Sequence, residues 1–263
     1  MEMVEILHPN LSKTLARYGL WLLKFYFRID IEGLEHLPRK GGALIIPNHS
    51  GFAGADAVLL TFLIKRNTRR RARLLAHRAF FDFSKKLKEI SESHGLKKAS
   101  FSEGTSILKR GNLLILFPEG ETGNFKSTLD RYHLAQFHTG FLRMAIETGA
   151  PIVPCMVIGA EESHLNLGNL NFSKIIKSMR VPIPLNLFPL PAKWKIRFYP
   201  PVDPSTFDPG AQDDPKKLKT LAQRFQKNLQ KEIRKEIKHR PFIYFEKTGR
   251  LAKIVKKKLK KLQ

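Results

Sequence analysis

The chain has one cysteine, Cys155, and only 23 acidic residues against 47 Lys and Arg among 263 residues. A single thiol excludes an internal disulfide and any zinc site built from several cysteines. Residues 1–10 begin with acids and lack the basic-then-apolar order of a secretory signal. Every 18-residue window contains a charged residue, so the sequence predicts no membrane-spanning helix and only peripheral association with a membrane.

Several common catalytic motifs are also missing. The sequence has no GxSxG, GxxxxGK[ST], GxGxxG or HExxH, which argues against the common serine hydrolases, P-loop and dinucleotide-binding proteins and zinc proteases. His133 and His138 are five residues apart and do not align on a helix face, so we interpret them as surface residues. We expect no metal and no bound cofactor.

The positive charge is concentrated at the C-terminal end. Residues 216–263 hold 18 Lys or Arg and 3 Glu, which places most of the net charge of +24 in that region. Such a balance favours anionic partners, namely a membrane surface, an acidic carrier protein or nucleic acid. A second basic stretch, KRNTRRRAR at 65–73, is either a solvated loop or a patch for an acidic partner.

Apolar runs bounded by Gly and Pro predict buried strands, and helical patterns lie between them. The strand candidates are 43–46, 113–117, 152–158 and 195–199, and the helical segments include DAVLLTFLIKRN, DFSKKLKEISES, SEGTSILKRG and GFLRMAIETG. This alternation predicts an α/β fold with a mostly parallel sheet flanked by helices. Ligands of such sheets bind at the carboxyl ends of strands, where the polar loops after 46 and 117 are expected.

Three segments are predicted along the chain. Residues 1–32 include an aromatic and basic stretch, 10–28, that suits either a helix in the membrane interface or one packed on its own domain. Residues 33–210 form the central domain, which contains the predicted strands. Residues 211–263 form a basic helical extension, in which Asp214 and Pro215 start a long helix. Its predicted apolar stripe is Leu218, Leu221, Phe225, Leu229, Ile233 and Ile237.

The loop PNHSGFAGAD contains His49 and, seven positions later, Asp56. A histidine can accept a proton near neutral pH, and a carboxylate on its other ring nitrogen fixes the tautomer and stabilises the imidazolium. Such a pair activates a hydroxyl. Ser50 is adjacent to the histidine and points away from it in an extended loop, so the hydroxyl is expected to belong to a substrate alcohol.

Three blocks resemble the glycerolipid acyltransferase superfamily, which includes the lysophosphatidic acid acyltransferases. They are GGALIIPNHSGFAGAD, LKRGNLLILFPEGETG and FLRMAIETGAPIVPCMVIGAEES, in that order and at similar spacing, and the likeness covers about residues 33–202. The resemblance implies that His49 is the general base for an acceptor hydroxyl that attacks an acyl thioester, with Asp56 orienting it. It also implies substrate contacts from a further set: Asn48, Ser50, Gly51, Glu119, Gly120 and Pro151.

Two departures from the family pattern bear on this interpretation. Six residues separate His49 from Asp56, where the best-known members have four, and two glycines in the loop would let the longer connection reach the same geometry. The second block reads FPEGETG, so Thr122 stands where the family has a phosphate-binding Arg. Arg131, Arg143 or Lys126 would have to replace that Arg, or the acceptor carries no phosphate.

The resemblance thus predicts an O-acyltransferase that takes a fatty acyl group from acyl-CoA or an acyl carrier protein. The expected acceptor is a glycerolipid, first 1-acyl-glycerol-3-phosphate, with a mono- or diacylglycerol as the alternative. We expect peripheral attachment to the cytoplasmic side of an anionic membrane. A non-enzymatic protein that binds nucleic acid or an anionic surface is the less favoured reading, because it leaves the His49 and FPEG loops unexplained.

Overall fold

The computed structural model describes residues 23, 25–49, 54–76, 81, 96–124, 126–171, 180–186, 188–240 and 242–244. The predicted helix at 82–93, most of the predicted N-terminal helix and the C-terminal end from 245 lie outside the described residues, as do Ser50 and Gly51. None of the helices in these described ranges is both long and apolar enough to cross a bilayer.

A seven-stranded sheet forms the centre of the described part of the chain. Its strands are β1 (Asp30–Glu32), β2 (Ala43–Pro47), β3 (Ala72–Ala76), β4 (Leu96–Lys98), β5 (Leu113–Ile115), β6 (Ile152–Ile158) and β9 (Lys195–Phe198). Strands β7 (Asn166–Asn171) and β8 (Arg180–Pro184) form a separate hairpin. The order is β1-β9-β6-β2-β5-β3-β4. The five strands from β6 to β4 are parallel, and β9 with β1 runs opposite. The predicted mostly parallel α/β fold is confirmed.

Helices cover both faces of this sheet. One face packs against α1 (Ala55–Thr68), and the other packs against α2 (Phe101–Lys109), α4 (Gly140–Thr148) and α6 (Pro215–His239). The short helices α3 (Glu121–Asn124) and α5 (Ala160–Ser163) follow β5 and β6. Strand β2 shows how the core forms, because alternate side chains of its buried apolar run point to opposite faces.

Helix α6 begins at the predicted cap. The Asp214 carboxylate accepts hydrogen bonds from the main-chain N–H groups of Lys216 and Lys217, and Pro215 occupies the first turn. Leu218, Leu229 and Ile233 of the predicted stripe are buried against the sheet. Strand β1 likewise belongs to the sheet, so residues from all three predicted segments contribute to one layered core, and the segment boundaries stay predictions.

The basic stretch at 65–73 is neither wholly a solvated loop nor wholly a surface patch. Its first half completes α1, and its last residues enter β3, a strand that the sequence did not predict. The guanidinium of Arg70 donates to the main-chain carbonyls of Pro38, Gly41 (2.5 Å) and Gly111 (2.8 Å). Arg70 therefore joins three turns at the amino edge of the sheet.

Candidate active site

The two polar loops meet because β2 and β5 are adjacent parallel strands. Their register pairs Leu44 with Leu114 and Ile45 with Ile115, so the residues after both strands emerge at the same carboxyl edge. His49 follows β2 by two residues, and the FPEG turn follows β5 at a similar level. The sequence-based expectation that these loops share one edge is confirmed.

His49 and Asp56 form a hydrogen-bonded pair. His49 Nδ1 lies 2.8 Å from Asp56 Oδ2, and Asp56 Oδ1 accepts from the main-chain N–H of Ala57 at 2.8 Å. The His49 side chain is 14% exposed, whereas that of Asp56 is fully buried in the first turn of α1, where the helix dipole favours a carboxylate. The ring of Phe117 stacks on the imidazole with centroids 4.0 Å apart. This arrangement leaves Nε2 as the ring nitrogen that an acceptor hydroxyl would meet.

Asn48 holds the start of the loop against β6. Its side-chain amide donates to the carbonyl of Val157 at 2.9 Å, and its carbonyl accepts from the N–H of the same residue at 2.7 Å. The side chain thus makes the two bonds that another strand residue would make, and it is fully buried. Its contact with substrate stays a prediction, and in the structure its side-chain amide is bonded to the protein.

Glu119 fixes the main chain of His49 from the opposite side. Its Oε1 accepts from the His49 N–H at 2.8 Å, and its Oε2 accepts from the Ala135 N–H at 2.7 Å. The carboxylate is fully buried. Gly120 follows with φ of 59°, a left-handed conformation that suits glycine, and donates its N–H to the Phe117 carbonyl. The geometry therefore supports a positioning role for Glu119.

A buried ion network continues from Glu119 away from His49. The ammonium of Lys126 lies 3.1 Å from Glu119 Oε2 and 3.3 Å from Glu161 Oε1, and the second oxygen of Glu161 accepts from the Tyr132 N–H. One cation shared by two buried carboxylates neutralises only one of them. Burial raises the pKa of Glu161 to about 7, and the charge of Glu119 adds to that rise while Lys126 opposes it.

The adjacent acid, Glu162, connects this region to the end of α6. Arg240 donates to both carboxylate oxygens of Glu162, at 2.8 and 2.7 Å, and both side chains are almost fully buried. Tyr132 and Tyr244 donate their hydroxyls to Glu162 as well, Tyr244 to its main-chain carbonyl at 3.0 Å. The end of α6 is thereby anchored beside the loops of the site.

Pro151 lies far from His49, whereas Thr122 lies in α3, close to Glu119. Pro151 precedes β6 and lies at the amino edge of the sheet, because Leu44 pairs with Ile152 and Pro151 is therefore level with Ala43. At about 3.3 Å per residue, the distance along β2 from that level to His49 is roughly 20 Å. The expectation that Pro151 walls the pocket is corrected by this register. Thr122 donates its hydroxyl to the Glu119 carbonyl at 2.6 Å.

The predicted substitutes for the family's phosphate-binding Arg also differ in their surroundings. Lys126 is bonded to two carboxylates and almost fully buried. Arg131 donates to the Thr128 carbonyl, and the guanidinium of Arg143 lies 5.7 Å from the ring centroid of Phe101. Within the described ranges no group of three or more His, Cys, Asp or Glu side chains is arranged to hold a metal ion.

Comparison with known proteins identifies the family. A model of the family described as Acyltransferase matches residues 28–158. Uncharacterized proteins of Mycobacterium bovis and Mycobacterium tuberculosis are each 31% identical over 250 residues, which is 90% of this chain and 70% of each relative. The chain belongs to the acyltransferase family. This confirms the membership that the three sequence blocks predicted, and the chain is an acyltransferase.

The fold of this acyltransferase is similar to a solved structure of the same superfamily. The crystal structure of the 1-acyl-sn-glycerophosphate (LPA) acyltransferase PlsC from Thermotoga maritima superposes with a TM-score of 0.55. The sequences are 17% identical, and the match covers 90% of this chain and 87% of that one. At this identity the likeness supports the fold.

We expect the stability of the acyltransferase to fall as pH rises from about 4.5 to about 7. The folded protein keeps a proton on Glu161 over this range, whereas the unfolded chain has lost it, so the folded state binds more protons and loses stability with rising pH. A shift of this size corresponds to about 3 kcal/mol. Urea unfolding of wild type and Glu161→Gln at pH 5 and pH 8 measures the difference.

The Glu161→Gln variant should lack most of that pH dependence. Glu147→Gln is the matched control, because Glu147 is partly exposed and forms its ion pair with Lys109 at the surface. It should follow the wild-type curve. Equal pH dependence in wild type and Glu161→Gln would show that Glu161 is not the group that titrates.

We expect Gly123→Ala to disrupt the site. A Cβ at Gly123 would lie 2.6 Å from the Cβ of Glu119 and 2.8 Å from the Cβ of His49, and both neighbours are fixed by main-chain bonds. Overpacking of this kind costs about 1–3 kcal/mol and would move the imidazole. Gly140→Ala is the control, since a Cβ there meets nothing within 4 Å. Turnover and thermal unfolding measure both variants, and similar results for the two would contradict the prediction.

Proposed function

We propose that this acyltransferase transfers a fatty acyl group from an acyl-CoA or acyl carrier protein thioester to a glycerolipid hydroxyl. The observation that carries the proposal is the 2.8 Å bond between His49 Nδ1 and the buried Asp56 carboxylate. It places the second ring nitrogen of a partly exposed imidazole at the carboxyl edge of the sheet, where ligands of parallel sheets bind.

In the proposed reaction His49 acts as the general base. Its Nε2 takes the proton of the acceptor hydroxyl while the oxygen attacks the thioester carbonyl carbon. The carbon–sulfur bond then breaks, and the thiolate leaves with the proton that the imidazolium returns. Asp56 holds Nδ1 protonated and stabilises the imidazolium, so no covalent enzyme intermediate is required.

The leading acceptor is 1-acyl-glycerol-3-phosphate. This follows the family resemblance and the LPA acyltransferase activity for which the Thermotoga maritima protein is named. One observation favours a neutral mono- or diacylglycerol as the second candidate. The Lys126 ammonium, which would have to replace the missing phosphate-binding Arg, is shared by the Glu119 and Glu161 carboxylates and turned away from solvent.

The deciding experiment offers several acceptors in parallel. Purified protein would be incubated with labelled acyl-CoA, or with acylated carrier protein, and with lysophosphatidic acid, monoacylglycerol and diacylglycerol. We expect phosphatidic acid as the main product. Product from the neutral acceptors alone would favour the second candidate, and no acylated lipid with either donor would reject the proposal.

Peripheral membrane attachment is part of the proposal. Four apolar side chains at the carboxyl edge, Leu129, Leu167, Leu185 and Phe188, are between 59% and 89% exposed, and we call them the apolar lip. The segments that carry them are joined, because Asn166 N–H donates to Thr128 Oγ1 and Leu185 N–H donates to the Leu165 carbonyl. Exposed apolar groups beside a lipid-binding edge suit insertion into a bilayer.

We therefore expect the double variant Leu185→Ser/Phe188→Ser to bind anionic vesicles more weakly. Losing two inserted apolar side chains should reduce the binding constant by about tenfold or more, even at high salt, because the lost free energy is hydrophobic. Sedimentation with vesicles of phosphatidylglycerol and phosphatidylcholine measures the change. Unaltered sedimentation at both salt concentrations would exclude the apolar lip from the membrane contact.

A further inference from the structure

The exposed surface of α6 carries charge of one sign. Nine basic side chains of this helix are exposed, and at 100° per residue they fall within an arc of roughly 160°. We call them the basic arc: Lys216, Lys217, Lys219, Arg224, Lys227, Lys231, Arg234, Lys235 and Lys238. The two glutamates of the helix face the sheet instead. Glu232 accepts from the Tyr199 hydroxyl at 3.5 Å, and Glu236 lies 2.9 Å from Lys195 Nζ.

Helix α6 runs from the amino edge of the sheet to the carboxyl edge. Near its start, Leu221 and Phe225 line a cleft with Val202, which is bonded to Ile152 at the amino end of β6. Just past its end, Arg240 binds Glu162 and the Lys193 carbonyl at the carboxyl edge. A helix of 25 residues is about 37 Å long, so the basic arc extends along the side of the molecule.

This orientation points most of the basic arc away from a membrane. A bilayer that supplies a lipid acceptor to His49 must approach the carboxyl edge, where it meets only the last turn of α6. The helix also has no apolar face to insert, because Leu218, Ala222, Leu229 and Ile233 are buried against the sheet. The basic arc ahead of that last turn thus faces water, and its complement is an acidic macromolecule in solution.

A cleft beside the start of the basic arc favours a protein over a nucleic acid. It encloses about 530 Å³, and its apolar lining comes from Val202, Phe207, Ala211, Leu221 and Phe225. Lys216 and Arg224 border it, and Lys217 beside them binds Asp208 at 2.8 Å. An apolar pocket with a basic rim suits an apolar side chain that is flanked by carboxylates. Protein interfaces commonly have this arrangement, with an apolar anchor in a pocket and polar groups around it. A phosphate backbone offers no such side chain.

We propose that the basic arc and its cleft are the docking surface for an acidic protein that carries the acyl thioester. A small domain is about as long as this helix, so such a protein lying along α6 reaches from the cleft to the edge that holds His49. The inference rests on the proposed function, because it assigns the partner that supplies the donor for that reaction.

The test compares two donors in a charge-reversal variant. In Lys227→Glu/Lys231→Glu/Arg234→Glu we expect the KM for acylated carrier protein to rise about tenfold or more while kcat and the KM for acyl-CoA stay close to wild type. The matched control is Lys65→Glu/Arg66→Glu/Arg71→Glu, which makes the same change in net charge on exposed residues at the end of α1, against the other face. It should leave both KM values unchanged. Circular dichroism would confirm that both variants fold.

Two outcomes would overturn the docking proposal. One is an unchanged carrier-protein KM in the α6 variant, and the other is an equal rise in the control. If the carrier-protein KM is unchanged and the α6 variant loses vesicle or DNA binding, the occupant is the bilayer or a nucleic acid instead.

The proposed function can fail separately. If the wild type acylates no lipid with either donor, the reaction is wrong, and docking is then judged by calorimetric titration with unacylated carrier protein. Binding to the wild type and to the α1 control, with at least a tenfold loss in the α6 variant, would support the docking surface. No binding to the wild type would reject it.

Discussion

His49→Ala should lower kcat by about 100- to 10,000-fold or more, with folding and membrane binding unchanged. The magnitude is that of a general base whose removal leaves the acceptor hydroxyl protonated. The side chain is partly exposed and is hydrogen-bonded to Asp56 among the residues that the structure describes, so its loss should leave the core intact. Initial rates of acyl transfer at saturating donor and acceptor measure the effect.

Two companion variants sharpen this test. Asp56→Asn keeps the shape of the carboxylate but not its charge and should cost a similar factor, since it no longer stabilises the imidazolium. His133→Ala removes an exposed histidine from a neighbouring segment and should be neutral. Wild-type kcat in His49→Ala would exclude this imidazole as the base.

Lys126→Met should destabilise the fold by about 3–5 kcal/mol and also reduce turnover. Removing one partner of a buried ion group leaves the carboxylates of Glu119 and Glu161 without their cation. Without its cation the Glu119 carboxylate would no longer be held in place, which would weaken the main-chain bond that fixes His49. Urea unfolding together with kcat and KM measures both consequences, and kcat should fall more than KM changes.

Lys109→Met is the matched control for this variant. Lys109 forms its 2.9 Å ion pair with Glu147 at the surface, where such pairs contribute at most about 1 kcal/mol. The double variant Lys126→Met/Glu161→Gln should recover part of the lost stability, since it leaves one uncompensated carboxylate fewer. If Lys126→Met were as mild as Lys109→Met, the buried network would have no part in holding the site.

The local part of the site could be predicted from the sequence, and the network behind it could not. His49 and Asp56 are only seven residues apart in the sequence, and the FPEG loop follows a neighbouring parallel strand, so short spacing and topology bring them together. The contact between Lys126 and Glu161 joins residues far apart in the chain. Two consecutive acids after an apolar strand, in GAEES, were the available signal.

Elements with mixed composition were also hard to predict. Strand β3 is flanked by arginines that conceal its buried pattern, and β7 and β8 contain Asn, Gly and Pro. The stripe of α6 was predicted from its spacing, yet Ile237 is 36% exposed because the last turn extends past the core. Side chains that bond to main chain, such as Asn48, carry no periodic signal at all.

The bond from the Val157 N–H to Asn48 Oδ1 provides a way to monitor site assembly without substrate. That amide sits in β6, but its protection depends on a side chain from the His49 loop. Its exchange with deuterium should therefore be slow only while Asn48 keeps its position in the loop. A substitution that displaces the loop should speed exchange at this one amide, while the neighbouring amides of β6 stay protected. A single resonance would then separate variants that have lost chemistry from variants that have lost their loop.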